Sequence, residues 1–92
     1  MIKSFKNKNL EKLFFEDVRR KINPNHISKL LRILDRLDAS TNPQDMNLPG
    51  YNLHELKGTR KGYWSVWVNG NWRVIFKFDG NDVINVDYFD YH

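Results

Sequence analysis

Residues 63–78 read Tyr-Trp-Ser-Val-Trp-Val-Asn-Gly-Asn-Trp-Arg-Val-Ile-Phe-Lys-Phe, and no other stretch limits the fold so tightly. Two runs rich in Val, Ile, Trp and Phe flank an Asn-Gly step, a strong β-hairpin signal. Register is then the question. A two-residue turn at Asn69-Gly70 pairs Trp67 with Trp72 and places Trp64, Val66 and Val68 on one face with Arg73 and Lys77. A three-residue loop, residues 69–71, pairs Val68 with Trp72, Val66 with Val74 and Trp64 with Phe76. One face then holds Trp64, Val66, Val68, Trp72, Val74, Phe76 and Phe78, and the other holds Tyr63, Ser65, Trp67, Arg73, Ile75 and Lys77. A one-residue slip moves a whole side-chain set to the other face, so burial selects the second register. Asn71 tolerates the left-handed conformation and is expected to end the loop.

The rest of the chain can be arranged around this hairpin. Residues 2–5 alternate apolar and polar and are expected to form a short edge strand. Leu10, Leu13, Phe14 and Val18 fall at helical spacing, with Asn9 as N-cap and Arg19-Arg20-Lys21 closing the helix. Asn23-Pro24-Asn25 opens a second helix that should end near Ala39, burying Ile27, Leu30, Leu31, Leu34 and Leu37. Lys29, Arg32 and Arg36 share its opposite, solvated face, and His26 is expected to be solvated too. Residues 43–50 read as a loop with a short helical turn, 51–56 as a strand and 57–62 as a basic, glycine-flanked loop. Residues 79–82 form a second turn. The last strand, 83–91, should place Ile84, Val86 and Tyr88 on one face. The expected order is β-α-α-β-β-β-β. The expected class is α+β, a small antiparallel β-sheet with two N-terminal helices packed on one face, in a single domain spanning residues 1–92.

Composition narrows the function classes. With no cysteine there is no disulfide framework and no thiolate metal site, which fits a cytoplasmic protein. No apolar run approaches the ~20 residues of a membrane span, and the opening residues lack the apolar segment of a signal peptide. The net charge of +4 is unevenly spread. Residues 1–36 carry ten Lys/Arg against four Asp/Glu, a net of +6, whereas residues 79–92 carry four Asp and no Lys/Arg. A basic N-terminal half points to an anionic partner, nucleic acid first.

Most familiar chemistries are absent. His26, His54 and His92 lie on different elements without metal-ligand spacing, so no metal site and no cofactor are expected. No glycine-rich phosphate loop precedes a helix. What remains is a set of acid–base types at strand ends. His54 and Lys57 lie at the end of one strand, Arg73 lies on the polar face of the hairpin, and Asp90, Tyr91 and His92 end the sequence. These suit RNA cleavage by a 2′-hydroxyl attacking its adjacent phosphate. That reaction needs a base, cations for the developing charge and an acid for the leaving oxygen. Histidine can serve as either acid or base. Lys57 and Arg73 suit phosphate, as do Arg60 and Lys61 in the basic loop. Trp67, opposite Arg73, could stack on a base. Each residue also has an ordinary structural role open to it, and the pattern alone does not choose.

Leu53-His54-Glu55-Leu56-Lys57-Gly58, Gly62-Tyr63-Trp64-Ser65, Asn71-Trp72-Arg73 and Asp90-Tyr91-His92, in that order and spacing, resemble the HigB toxins of the RelE/ParE superfamily. The resemblance implies a type II toxin–antitoxin system toxin, a ribosome-dependent mRNA endonuclease that cuts message in the ribosomal A site. It implies active-site roles for His54, Lys57, Asp90, Tyr91 and His92, with Arg73 on the same face. The implied partners are a HigA-type helix-turn-helix antitoxin, operator DNA only through that antitoxin, and the 70S ribosome with its mRNA. It further gives Arg19, Arg20, Lys21, Lys29, Arg32 and Arg36 a use, as contacts to ribosomal RNA phosphates. Trp67 stands where a smaller polar residue would be unsurprising in the family. Two other readings remain open from sequence: a ParE-like toxin that poisons DNA gyrase, and a non-catalytic RNA-binding module.

Overall fold

Hairpin register organises the sheet as burial requires. The computed structural model describes residues 1–91. Strands β2 (Tyr63–Asn69) and β3 (Trp72–Asp79) pair antiparallel with Trp64 opposite Phe76, Val66 opposite Val74 and Trp67 opposite Arg73. The loop differs in detail from expectation. Asn69 pairs with Trp72, so the turn itself has two residues, and Val68 is the extra residue of a bulge. Gly70 carries the positive φ of 56°, and Asn71 does not. A glycine takes that conformation without strain, so the chain uses it and recovers the apolar register through the bulge.

Strand β1 (His54–Glu55) pairs with β2, and β4 (Asp82–Asp90) pairs with β3, giving the order β1-β2-β3-β4, all antiparallel. The expected strand at 51–56 is thus reduced to two residues, although the Trp67 amide still donates to the Tyr51 carbonyl at 2.7 Å. Residues 2–5 form two isolated parallel bridges to β4, Ile2 with Val83 and Phe5 with Val86, rather than a full strand.

Strand β4 contains the largest departure from simple alternation. Ile75 pairs with Asp87 and Lys77 with Ile84, so two residues, Asn85 and Val86, oppose Phe76 alone. Asn85 sits at φ 57°. Asn is among the few residues that enter this region readily. The bulge changes phase: Val83, Val86 and Tyr88 are buried, and Ile84 is only half-buried instead of joining the core. The Asn85 amide donates to Ser4 Oγ (2.8 Å), and its side chain donates to the Tyr63 hydroxyl (3.0 Å).

Helix α1 (Lys8–Glu16) begins at Asn7, whose side chain accepts from the Leu10 amide, two residues before the expected cap Asn9. It ends at Asp17, in the left-handed conformation (φ 54°). Arg19, Arg20 and Lys21 therefore lie beyond the helix, in the connection to α2 (Pro24–Ala39). Asn23 caps α2 and Pro24 occupies its first turn, where the missing amide costs nothing. Leu30, Ile33, Leu34 and Leu37 of α2 are fully buried with Leu10, Val66, Val74 and Phe76. Each such side chain contributes about 1.5–3 kcal/mol on leaving water. His26 is also buried, contrary to expectation. Its Nδ1 shares a 2.5 Å hydrogen bond with the Tyr88 hydroxyl, and its ring packs edge-on to Trp72 and Tyr88. Among the described residues no helix is long and apolar enough to cross a membrane.

Candidate active site

One face of the sheet carries the core. The opposite face, here the front, carries polar groups in rows fixed by strand pairing. His54, Ser65, Ile75 and Asp87 are successive cross-strand partners, so their side chains share that face. Trp67, Arg73 and Phe89 form the next row. Ser65 and Ile75 are buried even though they face away from the helices. The front is thus partly covered, by the loop that follows β1.

That loop contains a short 3-10 turn, Gly58–Arg60. It projects Arg60 over β4, with the guanidinium 5.0 Å from the Phe89 ring centroid and 5.6 Å from that of Tyr91. The Tyr91 amide donates to the Asn71 carbonyl at 2.7 Å. The end of the described chain is therefore tied to the hairpin loop on one side and to the basic loop on the other. Asp90 pairs with Trp72, so it projects toward the helix-bearing face, opposite to Phe89. His54, Lys57 and Lys61 are exposed. His92 lies outside the described residues.

Arg73 is half-buried, and its Nη1 has no hydrogen-bond partner. No carboxylate pairs with it among the described residues, whose ion pairs are Met1–Asp82, Lys8–Glu11 and Arg19–Asp17. Lys29 is close enough for Arg32 and Arg73 to help hold its pKa below the usual lysine value, after desolvation, which is the larger cause. These three cations form one electropositive group, joining the hairpin front to α2. A cluster of cations lacking carboxylates is suited to an anion.

Several candidate residues are engaged within the chain. Lys29 Nζ lies 4.3 Å from the Trp67 ring centroid and donates to the Gly50 carbonyl at 3.0 Å. The Trp67 indole donates to the Gly70 carbonyl at 2.8 Å. One face of Trp67 is thus occupied by Lys29 instead of being free to stack. Arg36 donates to the Asp45 carbonyl (2.9 Å), tethering the 3-10 turn Pro43–Met46 to α2. Arg32 bonds the Ser28 hydroxyl, and Arg19 pairs with Asp17. Arg20 and Lys21 are exposed.

A cleft of about 170 Å³ opens on the front, with buried Ile75 as its floor. Tyr63 and Phe89 supply aromatic walls, and Asn85 and Asp87 supply polar groups from β4. Lys6, Thr59 and Arg60 complete the lining. Apart from Arg60, sequence reading does not single these residues out. Alternation put Asn85 and Asp87 on the front, but only the bulge brings Asn85 to Tyr63. Among the described residues no group of three or more His, Asp or Glu side chains is placed to hold a metal ion.

Comparison with known proteins agrees with this architecture. The family described as the RelE-like toxin of type II toxin-antitoxin system HigB matches residues 3–92. The Endoribonuclease HigB of Proteus vulgaris is 40% identical over 92 residues, covering 100% of both chains. Toxin HigB-1 of Vibrio cholerae is 35% identical over 94 residues, covering 100% of this chain and 98% of its own. Among solved structures, a YoeB-YefM complex from Staphylococcus aureus superposes with a TM-score of 0.65. It has 18% identity and covers 100% of this chain and 98% of the other. At that identity the likeness concerns the fold. The match over nearly the whole length, together with the two relatives, places this chain in the HigB family of RelE-like toxins of type II toxin–antitoxin systems.

Proposed function

We propose that this toxin is an endoribonuclease that cuts messenger RNA in the ribosomal A site, by attack of a 2′-hydroxyl on the adjacent phosphate. One observation carries most weight: the loop after β1 and the end of β4, far apart in sequence, meet through Arg60 and Tyr91 on the front of the sheet. That contact supports a single site bounded by His54 and Lys57 on one side and by Asp90, Tyr91 and His92 on the other. His54 and His92 transfer protons. Lys57 and Arg73 offset the charge that builds on the phosphorane. Tyr91 positions or stacks on the message, and Asp90, directed behind the front, orients a catalytic neighbour. Arg60 and Lys61 hold the backbone of the message.

The electropositive group of Lys29, Arg32 and Arg73, with Arg19, Arg20, Lys21 and Arg36, supplies contacts to ribosomal RNA phosphates. A HigA-type antitoxin is the partner that restrains the toxin and carries the pair to operator DNA.

The test is cleavage of a defined message on programmed ribosomes by the full chain and by Lys57→Ala, Tyr91→Ala and His92→Ala. The wild type cuts within the A-site codon, and each variant loses most of its rate. If all three variants cut as fast as wild type, the site is misplaced. If gyrase supercoiling is inhibited and no message is cut, the ParE-like reading replaces this one.

A further inference from the structure

Behind the sheet, a buried polar pair has no part in the proposed chemistry. His26, in the first turn of α2, and Tyr88, on β4, are both buried, and His26 Nδ1 shares a 2.5 Å hydrogen bond with the Tyr88 hydroxyl. The core around them is mostly aliphatic. A buried pair of this kind adds little net stability over apolar groups of the same shape. What it adds is direction: a satisfied polar contact specifies one arrangement of the side chains that share it.

The contact lies where the fold most needs direction. Chain ends usually fray, yet strand pairing runs on to Asp90, opposite Trp72, and the Tyr91 amide donates to the Asn71 carbonyl at 2.7 Å. Both strands of that junction rest on the histidine. The Trp72 and Tyr88 rings pack with centroids 4.8 Å apart, and the His26 ring meets Trp72 edge-on at 5.4 Å. Asn7 closes the arrangement. Its Oδ1 caps α1, and its Nδ2 donates to the Tyr88 carbonyl at 2.9 Å. Tyr88 is thus held at its hydroxyl, its ring and its carbonyl, just ahead of Asp90 and Tyr91.

We propose that His26 is a positioning residue for the nuclease site: through Tyr88 and Trp72 it fixes where β4 ends, and so where Asp90, Tyr91 and His92 act. The proposal rests on the RNA-cleaving reading above. His26 sits on the helix-bearing side of the sheet, so it acts without touching the message. Its lever is short, because Tyr88 and Asp90 are alternate residues of one strand and Trp72 is the cross-strand partner of Asp90. A misplacement of about 1 Å at reacting groups can cost on the order of 10²-fold in rate, even when the residue responsible is remote from the chemistry.

Two readouts separate this proposal from the function it rests on. In the first, single-turnover cleavage on programmed ribosomes compares the full chain with His26→Phe, Tyr88→Phe, the double variant and His26→Asn, each at a temperature where it is folded. His26→Phe should lower the saturated rate by about ten- to a hundredfold and leave the half-saturating ribosome concentration unchanged. Tyr88→Phe removes one hydroxyl and keeps the ring, so it tests the contact even if His26→Phe folds poorly. The double variant should lose no more than either single one, because both break the same contact. His26→Asn carries a polar atom at the same bond separation as Nδ1 and should recover most of the rate. Ile33→Val, two turns along α2 in the same core, should cut at the wild-type rate. In the second readout, amide hydrogen exchange in the free chain, His26→Phe should speed exchange at Tyr91 severalfold and leave the Trp67 amide as in wild type. Wild-type cleavage by His26→Phe and Tyr88→Phe, or an equal loss in Ile33→Val, overturns the proposal while leaving the cleavage function intact. Faster Tyr91 exchange in His26→Phe, in a protein that cuts no message, retains the anchor and overturns the function.

Discussion

The two faces of the sheet solve different problems. Behind it, Leu30, Ile33, Leu34 and Leu37 of α2 meet Val66, Val74 and Phe76, all fully buried and apolar. In front, the buried residues are Ser65 and Ile75, and everything around them is polar, charged or aromatic. The back is more regular: α2 is an uninterrupted helix, and strands β2 and β3 hold one register from Tyr63 to Trp67, broken only by the bulge at Val68. The front depends on irregularities, namely the bulge at Asn85, the 3-10 turn that carries Arg60 and the hairpin loop that holds Tyr91. Stability comes from repetition on one side, and the proposed site from departures on the other.

Substitutions can test how complete that division is. The largest expected effect is on the front. Lys57→Ala, Tyr91→Ala and His92→Ala should each lower the cleavage rate by about 10²–10⁴-fold, while unfolding free energies stay within about 0.5 kcal/mol of wild type. Parallel denaturation and single-turnover cleavage would check this, and a large loss of stability would show that the front is also structural. On the back, Phe76→Ala should cost about 3–5 kcal/mol, a large part of the ~5–15 kcal/mol typical of a native domain, with cleavage per folded molecule retained.

His26→Phe should cost about 1–3 kcal/mol at neutral pH, because it leaves the buried Tyr88 hydroxyl without its partner. The same residue sets a pH dependence. Burial holds the His26 pKa below its ordinary 6.5, so the unfolded chain takes up the proton first. Stability is therefore complete above 6.5 and declines as pH falls toward the lowered value. Wild type should show this acid limb in urea unfolding, and His26→Phe should lack it. Burial also pushes the Tyr88 hydroxyl up to about 12, so it remains a neutral partner throughout that range. The smallest effect is expected at the bulge. Asn85→Gly keeps the positive φ and loses the bond to Tyr63, for about 0.5–1.5 kcal/mol by thermal denaturation. Asn85→Val should cost more, because a β-branched residue is strained there.

What was legible in the sequence follows the same division. Hairpin register, the α2 stripe and the helices-on-sheet arrangement were readable because periodicity reports burial directly. His26 was misread because a lone histidine at a helix start gives no sign that a tyrosine 62 residues away will share its nitrogen. Ile84 was misplaced because alternation assumes an unbroken strand, and nothing local in Val-Ile-Asn-Val announces a bulge. Its signal is tertiary: Ser4 and Tyr63 both hold Asn85. The candidate site residues stand out by type and position at strand ends, the resemblance to a family gives them expected roles, and strand pairing adds what the motifs lack. Asp90 and Tyr91 are neighbours in sequence, yet they serve different faces.

The parallel bridges between residues 2–5 and β4 govern when the protein can exist during its own synthesis. Ile2 and Phe5 are buried only after Val83 and Val86 are available to pair with them. The Asn85 turn needs Ser4 from the opposite end of the chain. Without β4, residues 2–5 have no bridging partners and the cleft has no Asn85, Asp87 or Phe89. Closure across such a sequence separation comes late in folding. The front of the sheet and the N-terminal segment are therefore completed by one and the same strand, the last to be made.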